Sequence, residues 1–170
     1  PVVVPPQLFT ATLDVCKDTL PSKGYSIVIC KNALHYMDVS TFLKRVQNEF
    51  LMPGGYLIVL CLDADALTSV FANPPPYFHV QKDCKRSYEV KFDGVHQDFV
   101  QETKIYQSEL ISLARTLGLD CLVTRSVYDT YQEFASKFPL PFRWPQRQQL
   151  TTQDILLLHA YRFYVFQNRH

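Results

Sequence analysis

The sequence predicts an α/β fold built around a parallel sheet, and three observations predict it. Two short apolar runs, residues 25–30 (YSIVIC) and 56–61 (YLIVLC), read as strands buried on both faces of a sheet. Between them Phe42, Leu43, Val46, Phe50 and Leu51 recur at helical spacing, with Lys44, Arg45, Gln47 and Glu49 on the other faces. Asp38 or Ser40 is placed to accept the free N–H groups of the first helical turn, and the Pro53-Gly54-Gly55 turn cannot extend the helix. The pieces make one βαβ unit, right-handed by the general rule. In open α/β sheets ligands sit at the carboxyl ends of the strands, so chemistry is expected at the turn carrying Asn32, His35 and Tyr36.

The bulk properties bound the rest. A chain of 170 residues, 47% hydrophobic, is one domain or a large piece of one. A net charge of +1 says little about partners, because a nucleic-acid enzyme can concentrate its basic residues in one channel. Cys16, Cys30, Cys61, Cys84 and Cys121 are odd in number, without C-x-x-C spacing, and three lie in apolar runs. They read as reduced thiols of a cytosolic or nuclear protein rather than as disulfides or a zinc site. His35, His79, His96, His159 and His170 show no ligand spacing, so no metal site is expected. The longest apolar run, residues 56–62, falls far short of the ~20 residues a membrane span needs, and no signal peptide is visible.

The remaining elements follow in order. Residues 1–7 carry too many prolines for a sheet interior, and residues 8–15 read as a short edge or connecting strand ending at Asp14. After the second apolar run, residues 63–71 suggest a short helix stopped by Asn73 and three prolines. Residues 77–100 read as an insertion of short strands with Asp93-Gly94 as a hairpin turn. Residues 106–117 form a helix with Leu110, Leu113, Ala114 and Leu117 on one face and Gly118 as its C-cap. A strand follows at 121–126, then a short helix at 129–138 and a proline-laden stretch. Residues 154–159 lead into a last strand, 161–167.

NALHYMD at 32–38, a helix, and GGYLIV at 54–59 resemble the mRNA cap guanine-N7 methyltransferase family. That family's fourth strand ends in aromatic-Ala-Leu-His-Tyr, and its helix leads to a Gly-Gly-Tyr-Phe-Ile strand. Residues 101–114, QETKIYQSELISLA, fall on its Pro-Glu-Tyr segment and the helix after it, which puts Glu102 on the family's glutamate. Leu117-Gly118-Leu119 falls on its Tyr-Gly-Leu, and residues 160–166 fall on its terminal strand, which puts Tyr161 on the family's tyrosine. The four blocks occur in the family's order. The resemblance implies the C-terminal half of a Rossmann-like class I methyltransferase domain dependent on S-adenosylmethionine, with a final antiparallel strand and a small β insertion at 77–100.

None of the glycines, Gly24, Gly54, Gly55, Gly94 and Gly118, opens a helix after a strand, so the glycine-rich cofactor loop is expected from elsewhere. The resemblance implies that an N-terminal half, from the same polypeptide or another chain, completes the sheet beside residues 25–30. It also implies a capped mRNA 5′ end as substrate, other capping-enzyme domains as neighbours, and a cytoplasmic or nuclear location. A divergent motif points to a capping enzyme of the kind large DNA viruses encode, acting in the cytoplasm of an infected cell.

Methyl transfer to guanine N7 is an in-line displacement that needs no general base, so the task is positioning and exclusion of water. A guanine site needs acceptors for N1–H and N2–H₂, an aromatic wall and basic groups for the triphosphate. One carboxylate can accept both guanine donors, which suits Glu102. Apart from the resemblance, Glu102 reads as a charge at a helix N-terminus. His35 is placed to donate to guanine O6, and otherwise reads as a structural histidine. Tyr161 walls the base or is simply core. The resemblance places Asp14 near the adenine of S-adenosylmethionine, Tyr36 against its methionine part and Asn32 at the turn that contacts the adenosyl group, where the family has an aromatic. Lys82, Lys85 and Arg86, with Arg143 and Arg147 around Trp144, are the candidates for triphosphate and RNA, or a solvated basic face. The alternative function is a catalytically silent methyltransferase-like module that binds RNA or stimulates a partner capping subunit.

Overall fold

The structure, a computed structural model, describes residues 14–19, 24–137 and 150–170. Its main sheet has the order β1 (Tyr25–Lys31), β2 (Leu51–Leu62), β7 (Tyr161–Asn168), β6 (Leu119–Ser126). β1 and β2 are parallel, and β7 is inserted antiparallel between β2 and β6. This is the expected mixed sheet with its last strand reversed. The crossover from β1 to β2 runs through a 3₁₀ turn (Leu34–Tyr36), α1 (Val39–Arg45) and one π turn (Val46–Phe50).

Asp38 caps α1 by accepting the Thr41 N–H at 2.6 Å, so of the two candidates it is the aspartate that closes the helix. The Pro53-Gly54-Gly55 turn is absorbed into β2. Tyr25 pairs with Leu51 and Ile27 with Tyr56, so residues 52–55 bulge out of the ladder. Gly54 lies at φ +76°, in the left-handed region that only glycine enters freely.

The core sits on one face of the sheet. Leu57, Val59 and Cys61 of β2, Cys30 of β1 and Tyr164 and Phe166 of β7 pack against Phe42, Leu43, Val46 and Phe50. Leu110 and Ala114 of α3 (Gln107–Thr116) join them. Each of the Val, Leu and Phe side chains among them is worth about 1.5–3 kcal/mol on full burial. Among the described residues the opposite face is covered toward β6 and β7, by α4 (Val127–Lys137) and α5 (Thr152–Ala160).

This corrects one expectation: β1 is not buried on both faces. Ile27 is 55% exposed and Ile29 68%, because among the described residues no helix reaches that face of β1 and β2 is its one strand partner.

A second sheet, β3 (Phe78–Gln81), β4 (Ser87–Phe92) and β5 (Val100–Thr103), is fully antiparallel. The expected β insertion is present, its last strand reaching Thr103. Gly94, at φ +79°, begins the loop over 93–99 rather than forming a two-residue hairpin. α2 (Ala64–Ala72) begins at Asp63, whose carboxylate accepts the Asp65 N–H and pairs with Arg162 at 2.9 Å. Leu67 and Val70 of α2, Leu157 of α5, and Phe78, Tyr88 and Val90 of the insertion form a second core. That core joins the small sheet to the carboxyl end of β2 at Leu62. The expected strand over 8–15 and the proline-rich stretch lie largely outside the described residues.

Candidate functional site

Glu102 is the centre of the site. It lies on β5, not on the turn before α3, so it is no helix-dipole charge: its residue is 2% exposed and α3 begins only at Gln107. Three donors meet its carboxylate. Tyr36 Oη–H donates to Oε1 at 2.6 Å, Tyr88 Oη–H to Oε2 at 2.8 Å, and His35 Nε2 lies 3.2 Å from Oε1. Burial alone would push this carboxyl up; the hydrogen bonds and charge of His35 and the two tyrosine hydroxyls outweigh it and hold it below the ordinary glutamate value. Glu102 is therefore an ionised carboxylate inside the protein.

Each partner comes from a different element. His35 and Tyr36 sit on the 3₁₀ turn at the carboxyl end of β1, their rings 4.2 Å apart edge to face. Tyr88 stands directly opposite Glu102 across the β4–β5 ladder and is fully buried in the second core. Burial and the Glu102 charge push both hydroxyls above the usual phenol range, so both stay protonated and donate. Tyr161, at the start of β7, feels the same charge: burial first, then Glu102 and Cys61, push it up to about 12.

The structure thus brings His35, Tyr36 and Glu102 into direct contact and sets Tyr161 within electrostatic reach of them. His35 Nδ1 is buried without a partner, which leaves one polar atom of the site uncommitted. Sequence reasoning missed Tyr88. The alternation of SYEVKF marks it as inward-facing, but nothing in the chain shows that its register partner is Glu102.

The other candidates are placed differently. Asn32 ends β1 at φ +51°, its N–H donating to Leu60 O at 2.8 Å. That backbone geometry explains an asparagine there better than an aromatic would. Asp14 is exposed and pairs with Lys17 at 2.9 Å in its own turn. Lys82 is bound to Glu89 at 2.8 Å, and Arg86 grips both oxygens of Glu109 while lying over the Tyr106 ring. Lys85 is exposed, its carbonyl accepting from the Tyr106 hydroxyl. Arg143 and Arg147 lie outside the described residues. Ser126, Asp129 and His159 also meet, but Ser126 Oγ donates to the Asp129 carboxylate at 2.7 Å and accepts the Asp129 N–H at 3.0 Å. That is the cap of α4, not an activated nucleophile.

Two hollows stand out. An open apolar trough of about 530 Å³ runs along β1, lined by Val15, Tyr25, Ile27, Ile29 and Phe42 among others. A smaller groove of about 210 Å³ lies between Arg86, Thr103, Tyr106 and Leu113. Neither is lined by His35, Glu102 or Tyr161.

By sequence, no protein-family profile and no curated protein matches the chain. Its fold does have solved counterparts. An S-adenosylmethionine-dependent methyltransferase from Clostridium acetobutylicum superposes with a TM-score of 0.54 at 12% identity, over 94% of this chain and 64% of that one. One from Mesorhizobium loti gives 0.54 at 13% identity, over 92% and 67%. The glycopeptide N-methyltransferase MtfA, solved with S-adenosylmethionine, gives 0.52 at 10% identity, over 93% and 63%. The chain therefore has the fold seen in these methyltransferases and spans less than two thirds of the length of two of them, 64% and 63%.

Proposed function

We propose that this chain is the substrate-recognising part of an S-adenosylmethionine-dependent methyltransferase acting on N7 of the mRNA cap guanine. One observation carries the reading: His35 and Glu102, remote in sequence and matched to the family's motifs by separate blocks, touch at 3.2 Å at the carboxyl end of β1. Glu102 accepts the guanine N1–H and N2–H₂ donors, and Tyr161 walls the base. His35, with Nε2–H committed to Glu102, donates to O6 from Nδ1 when the ring carries both protons. S-adenosylmethionine, when bound, supplies the electrophilic methyl group.

The described residues fit that cofactor in part. The end of the trough at Ala33 suits the face of an adenine, and Asn32 and Tyr36 stand at the same strand-end turn. No described glycine opens a helix after a strand, and the ribose-binding acid is not among these residues. The segment that completes the sheet along the open side of β1 supplies both. Of the candidates Lys82, Lys85 and Arg86, the first and last are engaged with carboxylates, which leaves the Lys85 ammonium for the triphosphate.

The test is calorimetric titration of the complete polypeptide with S-adenosylhomocysteine and, separately, with GpppG, alongside Glu102→Ala. Binding of both ligands, with GpppG binding lost in the variant, supports the proposal. Cofactor binding without cap binding keeps the fold and removes the substrate.

A further inference from the structure

An ionised carboxylate offers about four lone-pair sites, two on each oxygen. In Glu102 the donors are shared unequally: Oε1 takes His35 and Tyr36, and Oε2 takes Tyr88 alone. One site on Oε2 is open, while Oε1 is filled. A ligand with two side-by-side N–H donors needs one site on each oxygen, so in this arrangement the site admits a single donor.

The three partners are not held alike. Tyr88 is 1% exposed, sits in a sheet ladder and is wedged between Phe71 and the second core. His35 is buried beneath the turn. Tyr36 is 50% exposed and ends a single 3₁₀ turn that no side chain caps, closed by backbone bonds of 3.1 and 3.4 Å. Turns of that kind open at low cost.

We propose that Tyr36 is a displaceable plug and Tyr88 a fixed clamp on Glu102. Tyr88 holds the carboxylate through Oε2, and His35 holds it through Oε1. When the Tyr36 hydroxyl swings away, each oxygen has one free acceptor site, side by side, and a planar ligand with adjacent N–H donors takes both. This rests on the guanine reading and adds a regulated entrance to it. The phenol of Tyr36 occupies the position that the ligand donor takes. Tyr88 touches no substrate and is a positioning residue.

The two tyrosines then have opposite effects on binding. In the complete polypeptide, Tyr36→Phe removes the competing hydroxyl, and GpppG binds about tenfold tighter by calorimetry, the scale of one hydrogen bond to a charged group. Tyr88→Phe frees the carboxylate to turn, and GpppG binds about tenfold more weakly while S-adenosylhomocysteine affinity is unchanged. In turnover the same variant raises KM for the cap and leaves KM for the methyl donor alone, a split that general loosening of the fold does not produce. Unchanged or weaker GpppG binding by Tyr36→Phe overturns the plug, whatever Tyr88→Phe does. Wild-type protein that binds S-adenosylhomocysteine but not GpppG removes the guanine reading and this inference with it.

Discussion

Tyr88 and Glu102 face each other across the β4–β5 ladder, and the phenol donates to the carboxylate at 2.8 Å. That bond lies within the small sheet, and what ties the sheet to the end of β1 is the contact of His35 and Tyr36 with the same carboxylate. The main sheet contributes His35 and Tyr36 from the end of β1, and the insertion contributes Glu102 and its clamp. The site exists only where the two sheets meet.

Glu102 makes stability depend on pH in a defined direction. Its carboxyl lies below the ordinary glutamate value in the folded protein, so the unfolded chain binds the proton first on acidification. Its contribution is complete above the ordinary value and is lost as pH falls through the lowered one. Glu102→Gln offers the three donors one amide oxygen and costs about 1–3 kcal/mol at neutral pH. The variant also loses this part of the acid sensitivity, so urea midpoints of the two proteins draw together as pH falls below the ordinary glutamate value.

Thiol reactivity ranks the cysteines. Burial pushes Cys30 up to about 11 and Cys61 up to about 12, while Cys84 is exposed on the insertion. The thiolate is the reacting species, so alkylation near pH 8 followed by peptide mass spectrometry labels Cys84 first. Cys30 and Cys61 label only in denaturant. Early labelling of Cys61 in the folded protein contradicts this packing of β2 against α1 and α3.

Much of this fold was readable because its signals are local. The apolar runs at 25–30 and 56–61, the cap at Asp38 and the stop at Gly118 each rest on a few neighbouring residues, and each is where the sequence puts it. Glu102 was recognised through its neighbours in QETKIYQSEL, but its strand was not, because VQET is too short to show an alternation. Tyr88 was invisible as a site residue since its role depends on register with a strand reached only after the 93–99 loop. The half-open state of β1 had no local signal either: YSIVIC is as apolar as a strand covered on both faces, and coverage is decided by what packs beside it.

The bulge over residues 52–55 has one intolerant position. A Cβ on Gly55 would meet Met52 O at 2.9 Å, Tyr25 O at 3.0 Å and Ser26 O at 3.2 Å, all backbone atoms that cannot step aside. Gly55→Ala lowers stability by about 1–3 kcal/mol, measured as a shift in urea midpoint. Gly54→Ala meets no atom within 4 Å and costs about 1–2 kcal/mol through its φ of +76° alone. A neutral Gly55→Ala contradicts the close approach of β1 to the bulge.

The open side of β1 makes the last prediction. Asn32 N–H points to β2, so by alternation the N–H and C=O groups of Ile27, Ile29 and Lys31 point away from it, unpaired among the described residues. An apolar strand with a free edge is a template for another strand. On its own, the 170-residue chain self-associates with rising concentration in sedimentation velocity, and Ile29→Lys suppresses this without loss of stability, because the side chain is 68% exposed. In the complete polypeptide, where the proposed segment covers β1, the same substitution instead buries a charge and costs at least about 1.5–3 kcal/mol, the worth of the buried isoleucine. Equal behaviour of Ile29→Lys in the two contexts means that no segment completes the sheet on this side.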